Sequence, residues 1–367
     1  MNVFWLLVIA CAAVLIQMAV FRAAGQKGIT YVRYFSASRA QVGEKLELVE
    51  DITARRFVPV PWLRVESRIP SALAFTAQKD LNIEDEFYHR SIFTLMPFRH
   101  IRRRYQVTCT HRGLYDLTSV TLTSGDLLGL YSAHRTLSLD AKLLVYPQLK
   151  SFSALELPSR QWQGDVAVRR WIQPDLFLVN GIREYRMGDN RRDIHAGATA
   201  RTGVLQVKTH DYTASPRMLI VLNAQMDEDQ WGVLTFQERE SLEDAVSLAA
   251  TMVAWCRKER VACGFASNGQ LQGAEKEEIY LGPQSAPQHY NDCMELVARI
   301  IMQRRISFHS YMERLARLLP LDPVDVVVLS CYWSEGLEAA AATLRGMGHA
   351  VYHYPIARKE AAHDRVV

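Results

Sequence analysis

The chain has 367 residues, of which 49% are hydrophobic and 22% are charged. This length exceeds what one hydrophobic core usually organises, so two folded domains are expected, and the ordinary balance of residue types excludes disorder on a large scale. The formal net charge is only +4. It argues against nucleic acid binding, because proteins that bind nucleic acid concentrate much more basic charge on one face.

Residues 3–21 form an uncharged apolar run in which Gln17 is the one strongly polar residue. About 20 such residues are enough to cross a bilayer as a helix. Residues 1–22 are therefore predicted to be a transmembrane helix. A cleaved signal peptide and a buried core helix are the alternatives, but a signal peptide begins with basic residues and none precedes this run.

Basic residues follow the apolar run, at Arg22, Lys27, Arg33 and Arg39. By the positive-inside rule, this asymmetry predicts a single-pass protein of the inner (cytoplasmic) membrane whose N-terminus lies outside and whose soluble part is cytoplasmic. The six cysteines form no CxxC pair and have no zinc-ligand spacing. This pattern favours reduced thiols in a reducing compartment.

Residues 23–150 are predicted to form an all-β sandwich domain. Short segments of alternating apolar and polar residues recur between turn residues, at 30–35, 45–53, 62–67, 102–110 and 118–123. Such spacing is typical of antiparallel sandwiches. The alternation weakens over residues 151–180, where Pro158, Gly164 and Pro174 interrupt the chain. That segment is predicted to be a connector.

Residues 98–105 (FRHIRRRY) are basic and aromatic. They are predicted to be an exposed strand, on which basic charge discourages edge-to-edge aggregation. Contact with the anionic cytoplasmic leaflet is the alternative, since the domain would be tethered close to it.

Residues 181–367 are predicted to form a doubly wound α/β domain. Continuous apolar runs typical of strands buried on both faces occur at 217–223, 261–266, 324–330 and 350–354. Helical periodicity occurs at 242–257, 290–302, 310–319 and 337–347. Alternation of strands and helices predicts a mostly parallel sheet covered by helices.

Two segments carry a family resemblance. Residues 112–147 contain RGLYDLTSVTLTSGDLLGLY followed by LLVYP, and residues 181–207 read GIREYRMGDNRRDIHAGATARTGVLQV. Together they resemble the bacterial "domain of unknown function 58" family, with its RG-x-Y, D-x-x-GL-[FY] and valine-tyrosine-proline motifs and its REY-x-x-GD-x-x-R-x-I segment. The direct match covers about residues 105–225, and the remainder agrees in fold pattern.

The resemblance implies an arrangement of membrane helices, a β domain and a von Willebrand factor A-like domain. Family members are often encoded beside MoxR-type AAA ATPases, and some beside transglutaminase-like proteins. They are thought to act as adaptors or assembly factors, and no enzymatic activity is established for the family as a class. Two features depart from its usual pattern. One membrane helix is predicted where many members have two, and His195-Ala196 follows Ile194 where the family usually places a tryptophan.

The second matching segment is dense in complementary charge. Arginine offers a planar fork that pairs with carboxylates in two bonds, so the segment could be an internal ion-pair network that docks it onto the α/β domain. A docking surface for an acidic partner and a catalytic role are the alternatives, and His195 is expected to be a surface or capping histidine. The candidate interaction residues are Arg183, Glu184, Tyr185, Gly188, Asp189, Arg191, Arg192 and Arg201.

A metal site expected from the resemblance is predicted to be degenerate. A von Willebrand A-type domain holds magnesium through an Asp-x-Ser-x-Ser loop after its first strand, and here Asn223, Gln225 and Asp227 take those three positions. The later position that usually offers a carboxylate reads Ser330-Cys331. Because Mg²⁺ requires oxygen ligands with carboxylate charge, Mg²⁺ binding is not expected unless Asp227 or its neighbour Asp229 rebuilds the site. No other cofactor is expected.

The sequence therefore favours a membrane-anchored, non-catalytic adaptor that acts with a MoxR-type AAA ATPase and membrane proteins encoded nearby. The motifs of common hydrolases, nucleotide-binding proteins and zinc enzymes are not present in it. A hydrolase or other enzyme with an unfamiliar site is one alternative. An envelope-facing scaffold with inverted topology is the other.

Overall fold

A computed structural model describes residues 3–75, 82–83, 88–150, 174–186, 194–212, 217–230 and 234–359. Contacts between residues divide the chain into two compact units. The first, here called the β unit, comprises residues 1–148, 271–275 and 294–301. The second, here called the α/β unit, comprises residues 149–270, 276–293 and 302–367.

The chain begins with helix α1, Val3–Ala24, whose residues are apolar almost throughout. It is long and apolar enough to cross a bilayer from Phe4 to Ala24, a property that membrane anchors share with signal sequences. The predicted apolar helix is confirmed, and it continues past residue 22 to Ala24. It ends where Gly25 adopts a positive φ of 46°, which favours glycine.

The described residues between 25 and 148 contribute ten strands to the β unit. They are β1 Ile29–Phe35, β2 Arg39–Gln41, β3 Lys45–Ala54, β4 Val60–Arg68, β5 Leu73–Phe75, β6 Asn82–Ile83, β7 Tyr88–Leu95, β8 His100–Cys109, β9 Gly113–Gly125 and β10 Ser132–Tyr146. One sheet has the order β1-β3-β8-β5 and the other β2-β10-β9-β4-β7-β6. Pairing is antiparallel except between β2 and β10, so the second sheet is mixed.

The two sheets of the β unit share their core. Alternate residues of the strands are buried, as in β1, where every second side chain is enclosed. One apolar cluster joins Leu48 and Val107 of the first sheet to Leu117 and Leu143 of the second. Burial of such side chains supplies the main favourable term in folding.

A buried polar network joins the two sheets of the β unit. Arg33 forms an ion pair with Glu50, and both side chains are fully enclosed. The hydroxyls of Tyr31 and Tyr105 donate to the same carboxylate at 2.7 and 3.1 Å. Arg33 also lies 3.3 Å from Nδ1 of His89, whose burial lowers its pKa to about 4. At neutral pH, His89 is therefore an uncharged member of the network.

The α/β unit contains the remaining elements. Its strands are β11 Pro174–Glu184, β12 Gln206–Tyr212, β13 Arg217–Leu222, β14 Ala262–Ser267, β15 Gly269–Leu271, β16 Ile279–Gln284, β17 Ile300–Arg304, β18 Asp325–Ser330 and β19 Ala350–Pro355, of which β15 and β17 have residues in both units. The helices are α2 Ala196–Thr202, α3 Phe236–Glu259, α4 Pro287–Arg299, which begins in this unit, α5 Phe308–Leu318 and α6 Glu335–Gly346.

A five-stranded sheet forms the centre of the α/β unit, in the order β16-β14-β13-β18-β19. All neighbours are parallel except β16, which runs antiparallel to β14. Helices cover both faces. On one face Cys256 of α3 contacts Met218 of β13 at 3.7 Å. On the other, Leu219 packs in a cluster with Tyr311 of α5 and Leu344 of α6.

Two segments differ from the pattern that their sequence predicts. The helix predicted over residues 290–302 ends at Arg299, and the β-branched pair Ile300-Ile301 begins β17, which pairs with β15. The predicted connector lies outside the described residues from 151 to 173. Its last residues, from Pro174, belong to β11, which pairs with β12. Pairing with a partner distant in sequence overrides the weak local pattern at both positions.

Candidate functional site

The strand order reverses between β13 and β18, the two central strands of the five-stranded sheet. From β13 the chain continues to β14 on one side, and from β18 to β19 on the other. Loops leaving the carboxyl ends of two such strands diverge and open a crevice, where ligands of open α/β sheets usually bind. Residues 223–230 follow β13 and residues 331–334 follow β18. This carboxyl edge is the candidate site.

Asn223 and Asn268 connect the loops at this edge. The Nδ2 atom of Asn223 donates to Oγ of Ser330 at 2.9 Å, which links β13 to β18. The Oδ1 atom of Asn268 accepts from the backbone N–H of Ala224 at 2.8 Å. Both asparagines are buried. Buried amides need partners, and here each joins neighbouring strand ends through neutral hydrogen bonds.

Gln225 is the centre of the same arrangement. Its Oε1 accepts from Nδ2 of Asn268 at 3.0 Å and from the backbone N–H of Phe308, the first residue of α5, at 2.7 Å. Its Nε2 donates to the carbonyls of Asp227 and Glu228, both at 3.2 Å. Asn223, Gln225 and Asn268 are here called the amide cluster. Three neutral side chains hold the loops at this edge together.

The acidic residues beside the amide cluster have protein partners. Asp227 accepts from Nη2 of Arg358 at 2.5 Å, and the same nitrogen donates to the carbonyl of Met226 at 2.7 Å. Glu228 accepts from Oγ of Ser334 at 3.0 Å. A cation at this edge would compete with the charged guanidinium for Asp227. The residues therefore do not fit magnesium, which needs several unengaged oxygen ligands.

Over the residues that the structure describes, no group of three His, Cys, Asp or Glu side chains is placed to hold a metal ion. Asp229, the other carboxylate that could rebuild a magnesium site, is exposed. The carboxylates at this edge thus offer a weak ligand set.

The end of β18 carries the nucleophilic side chains of the edge. Ser330 accepts the bond from Asn223 and donates to the carbonyl of Tyr332 at 2.7 Å, so its hydroxyl proton is engaged. Burial raises the pKa of the Cys331 thiol to about 11. The thiolate is the reactive form of cysteine, so this thiol is a poor nucleophile at neutral pH. Trp333 stacks on His353 with ring centroids 4.5 Å apart. These contacts hold the edge together and activate neither nucleophile.

The described residues of the predicted interaction segment belong to the same unit. Arg183 and Glu184 lie at the end of β11, and the backbone N–H of Tyr185 donates to the carbonyl of Leu205 at 2.8 Å. Arg183 also donates to the carbonyl of Glu184 at 3.0 Å. Arg201 is exposed on α2. Gly188, Asp189, Arg191 and Arg192 lie outside the described residues.

The described part of this segment exposes apolar side chains beside its charged ones. Ile182, Tyr185, Val204 and Leu205 are large hydrophobic residues that remain exposed where the end of β11 approaches the start of β12. His195 caps α2, with Nδ1 accepting from the backbone N–H of Ala198 at 3.0 Å, as expected for a capping histidine. Glu184 pairs with Gln206, so Tyr185 lies opposite Leu205 and their side chains share one face of the β11–β12 pair; we call Tyr185 and Leu205 the apolar patch. Such patches on soluble units often mark contacts with other proteins.

Sequence reasoning placed Asn223 and Gln225 at the edge but missed Asn268 and Arg358. Asn268 comes directly after the buried strand β14, as Asn223 does after β13. The same rule, a polar residue at the carboxyl end of a buried parallel strand, would have found it. Arg358 lies 131 residues from Asp227 in sequence. No local pattern connects the two.

Comparison with known proteins leaves the family open. No family model matches the chain. An uncharacterized protein of Bacillus subtilis (strain 168), YeaD, is 24% identical over 283 residues, which are 75% of this chain and 65% of that protein. The chain thus spans less than two thirds of that relative's length.

Solved structures match about a third of the chain. A native alpha-2-macroglobulin fragment from Escherichia coli is 10% identical over 32% of this chain and 23% of that one, with a TM-score of 0.26. A non-cellulosomal cohesin from Archaeoglobus fulgidus is 13% identical over 32% of this chain and 91% of its own, with a TM-score of 0.24. The architecture accordingly rests on the element order and strand pairing described above.

Proposed function

We propose that the chain is a membrane-anchored, non-catalytic adaptor or assembly factor that acts with a MoxR-type AAA ATPase. In this proposal the α/β unit is a von Willebrand factor A-like module with a degenerate metal site. Its sheet order and its amide cluster support that reading, because neutral hydrogen bonds join the loops at the edge where a metal-dependent module would place its ion.

The observation that carries the proposal is the apolar patch. Tyr185 and Leu205 lie side by side through a backbone hydrogen bond, and both side chains are exposed. Arg183 and Glu184 border them. Interfaces commonly combine an aromatic anchor with a charged rim, because the apolar centre supplies affinity and the charges select the partner.

In the same proposal, α1 is the anchor and the soluble units are cytoplasmic. Arg22 and Lys27 flank the end of the helix and are exposed, as the positive-inside rule expects of cytoplasmic flanks. Arg33 contributes little to this asymmetry, because its charge is neutralised inside the β unit by Glu50. The orientation therefore depends on the residues immediately after the helix.

We expect Leu205→Asp to reduce the capture of a MoxR-type ATPase by the tagged full chain from native membranes by about tenfold or more. A charge in the centre of an apolar contact must be desolvated, and 1.4 kcal/mol corresponds to a factor of ten in affinity. The backbone bond from Tyr185 is retained, so the local fold should survive. Quantitative immunoblotting or mass spectrometry of the captured material measures the effect.

Leu321→Asp is the matched control. Leu321 belongs to the same unit, is 97% exposed and lies outside the patch, so the same substitution there should leave capture unchanged. Equal capture by wild type and Leu205→Asp would contradict the assignment of the apolar patch. Failure of the wild type to retain the ATPase would contradict the choice of partner.

A further inference from the structure

Gln17, the polar residue within the apolar helix α1, has a specific partner. Its Nε2 donates to Oδ2 of Asp126 at 2.8 Å. Asp126 lies in the loop that joins β9 to β10, 109 residues away in sequence, and both residues belong to the β unit. A carboxamide in hydrocarbon needs such a partner, because no water is available to it there.

The contact places the loop beside α1 rather than beyond its end. Gln17 precedes the last helical residue, Ala24, by seven positions, which at 1.5 Å per residue corresponds to about 10 Å along the axis. Half-buried residues of α1 recur at helical spacing from Val14 through Met18 and Phe21. The side of the helix that packs on the β unit therefore extends several turns into the apolar segment.

The loop is held rigid at its base. Asp126 and Tyr131 form two hydrogen bonds: the N–H of Asp126 donates to the carbonyl of Tyr131, and the N–H of Tyr131 donates to the side-chain Oδ1 of Asp126, both at 3.1 Å. Nε1 of Trp62 donates to the carbonyl of Asp126 at 3.0 Å. Gly129 adopts a φ of 74°, which a glycine tolerates without strain.

Three leucines at the tip of this loop have exposed side chains. Leu127, Leu128 and Leu130 are 69%, 58% and 61% exposed. A second apolar projection lies at the same end of the β unit: Phe57 and Phe98 form an edge-to-face pair with centroids 4.9 Å apart, and both are exposed. We call these five residues the lipid-facing tip.

The end of α1 is joined to the loop that carries Phe57. The Gly28 carbonyl accepts from the backbone N–H of Arg55 at 2.7 Å, and the Gly25 carbonyl accepts from Nη1 of Arg56 at 2.7 Å, which ties the loop carrying Phe57 to the helix. Exposed Arg55 and Arg99 flank the phenylalanines. Basic residues beside apolar ones are typical of surfaces that insert into an anionic leaflet.

We propose that the lipid-facing tip inserts into the leaflet from which α1 emerges, so that the β unit is held on the bilayer by a second contact. This inference rests on the proposed role of α1 as a membrane anchor. The occupant is lipid acyl chain, because Asp126 fixes the loop beside a helix segment whose outer surface itself requires hydrocarbon. Gln17 and Asp126 then form the polar joint between anchor and loop.

Depth-dependent fluorescence quenching of the full chain tests the proposal. The chain is reconstituted into vesicles of phosphatidylethanolamine and phosphatidylglycerol that contain lipids with a nitroxide near the headgroup or deep in the acyl chain. An environment-sensitive thiol label is attached to native Cys11, to Leu128→Cys or to Lys45→Cys. Cys331→Ser is present throughout, and Cys11→Ser in the last two variants. The remaining cysteines are buried.

Each position has a distinct expectation. Cys11 lies inside α1 and should be quenched by the deep nitroxide. The emission of the label on Leu128→Cys should be blue-shifted. The shallow nitroxide should quench this label at least about twofold more than aqueous iodide does. Lys45 begins β3, whose other end meets the loop tied to α1, so it lies about 30 Å from that loop. Its label should respond to iodide alone.

The proposal is overturned if iodide quenches the Leu128→Cys label to the same extent as the Lys45→Cys label. It is also overturned if neither iodide nor the lipid nitroxides quench the Leu128→Cys label, because that result indicates that protein covers the loop. If the Cys11 label also responds to iodide alone, α1 does not cross the bilayer, and both the anchor role of α1 and the tip insertion are wrong. If the deep nitroxide quenches the Cys11 label while iodide quenches the Leu128→Cys label, α1 is an anchor and only the proposed insertion of the lipid-facing tip is wrong.

Discussion

Glu50→Gln is expected to destabilise the β unit by about 3–5 kcal/mol, because it removes the charge that balances Arg33 in a fully enclosed site. Burial by itself raises the pKa of Glu50, but the charge of Arg33 and the hydrogen bonds from Arg33 and Tyr31 lower it below its ordinary value. The carboxylate is therefore ionised at neutral pH. Its neutral isostere leaves the guanidinium buried without a counter-charge.

Alkylation of Cys109 in dilute urea measures this effect within the full chain. Cys109 is buried in β8, and burial raises its thiol pKa to about 11, so it reacts only when the β unit opens. The alkylation rate should rise by about two to three and a half orders of magnitude, since 1.4 kcal/mol corresponds to a factor of ten. Cys256 and Cys293, buried in the α/β unit, should react at unchanged rates.

Asp51→Asn is the matched control, because Asp51 is the next residue of β3 and bonds Arg102 at the surface. Ion pairs in contact with water contribute little, so Cys109 should react no more than about fivefold faster. The double variant Arg33→Met/Glu50→Leu should recover most of the lost stability by replacing both charges with apolar groups. An unchanged alkylation rate in Glu50→Gln would contradict a structural role for the pair.

Asn268→Ala is expected to destabilise the α/β unit by about 2–4 kcal/mol. Its side chain accepts from Ala224 and donates to Gln225 and to the carbonyl of Ile306, at 2.8, 3.0 and 3.2 Å. The alanine leaves buried polar groups unsatisfied at about 1–3 kcal/mol each, although some relax. Alkylation of Cys263, buried in β14, should accelerate by about one to three orders of magnitude in dilute urea, while Cys109 should be unaffected.

Gln288→Ala provides the comparison, since it deletes an exposed amide whose bond to Asp292 competes with water. It should change the reactivity of Cys263 little. If Asn268→Ala behaves like Gln288→Ala, the loops at the carboxyl edge are held by something other than the amide cluster. Accelerated alkylation in Asn268→Ala alone is the expected result.

The strands that sequence patterns located are those in which apolar residues point inward. β13 and β18 were predicted because their runs of aliphatic residues are buried on both faces. β7 was missed for a physical reason: His89 and Ser91 face the interior, where they join the polar network, while Ile92 faces outward. The first half of β10 is mostly exposed and is followed by a bulge between Ser138 and Ala141, which breaks the alternation.

The candidate site was predictable where a rule linked residue type to strand position, and not where partners are distant. Asn223 and Gln225 could be placed from the apolar strand before them. Asn268 required applying the same rule to β14, and Arg358 required tertiary structure. For the interaction segment, the sequence emphasised charge, whereas the described part exposes apolar side chains such as Tyr185 and Leu205. Exposure depends on which strands pair, which composition does not reveal.

Titration of the full chain with Mg²⁺ by isothermal calorimetry, in detergent or lipid nanodiscs, tests most directly the claim that the α/β unit is a metal-independent interaction module. The amide cluster already connects the loops, and Asp227 is paired with Arg358. We therefore expect no saturable heat at micromolar metal concentrations, in the wild type and in Asp227→Ala alike. Micromolar binding by the wild type that Asp227→Ala abolishes would contradict it.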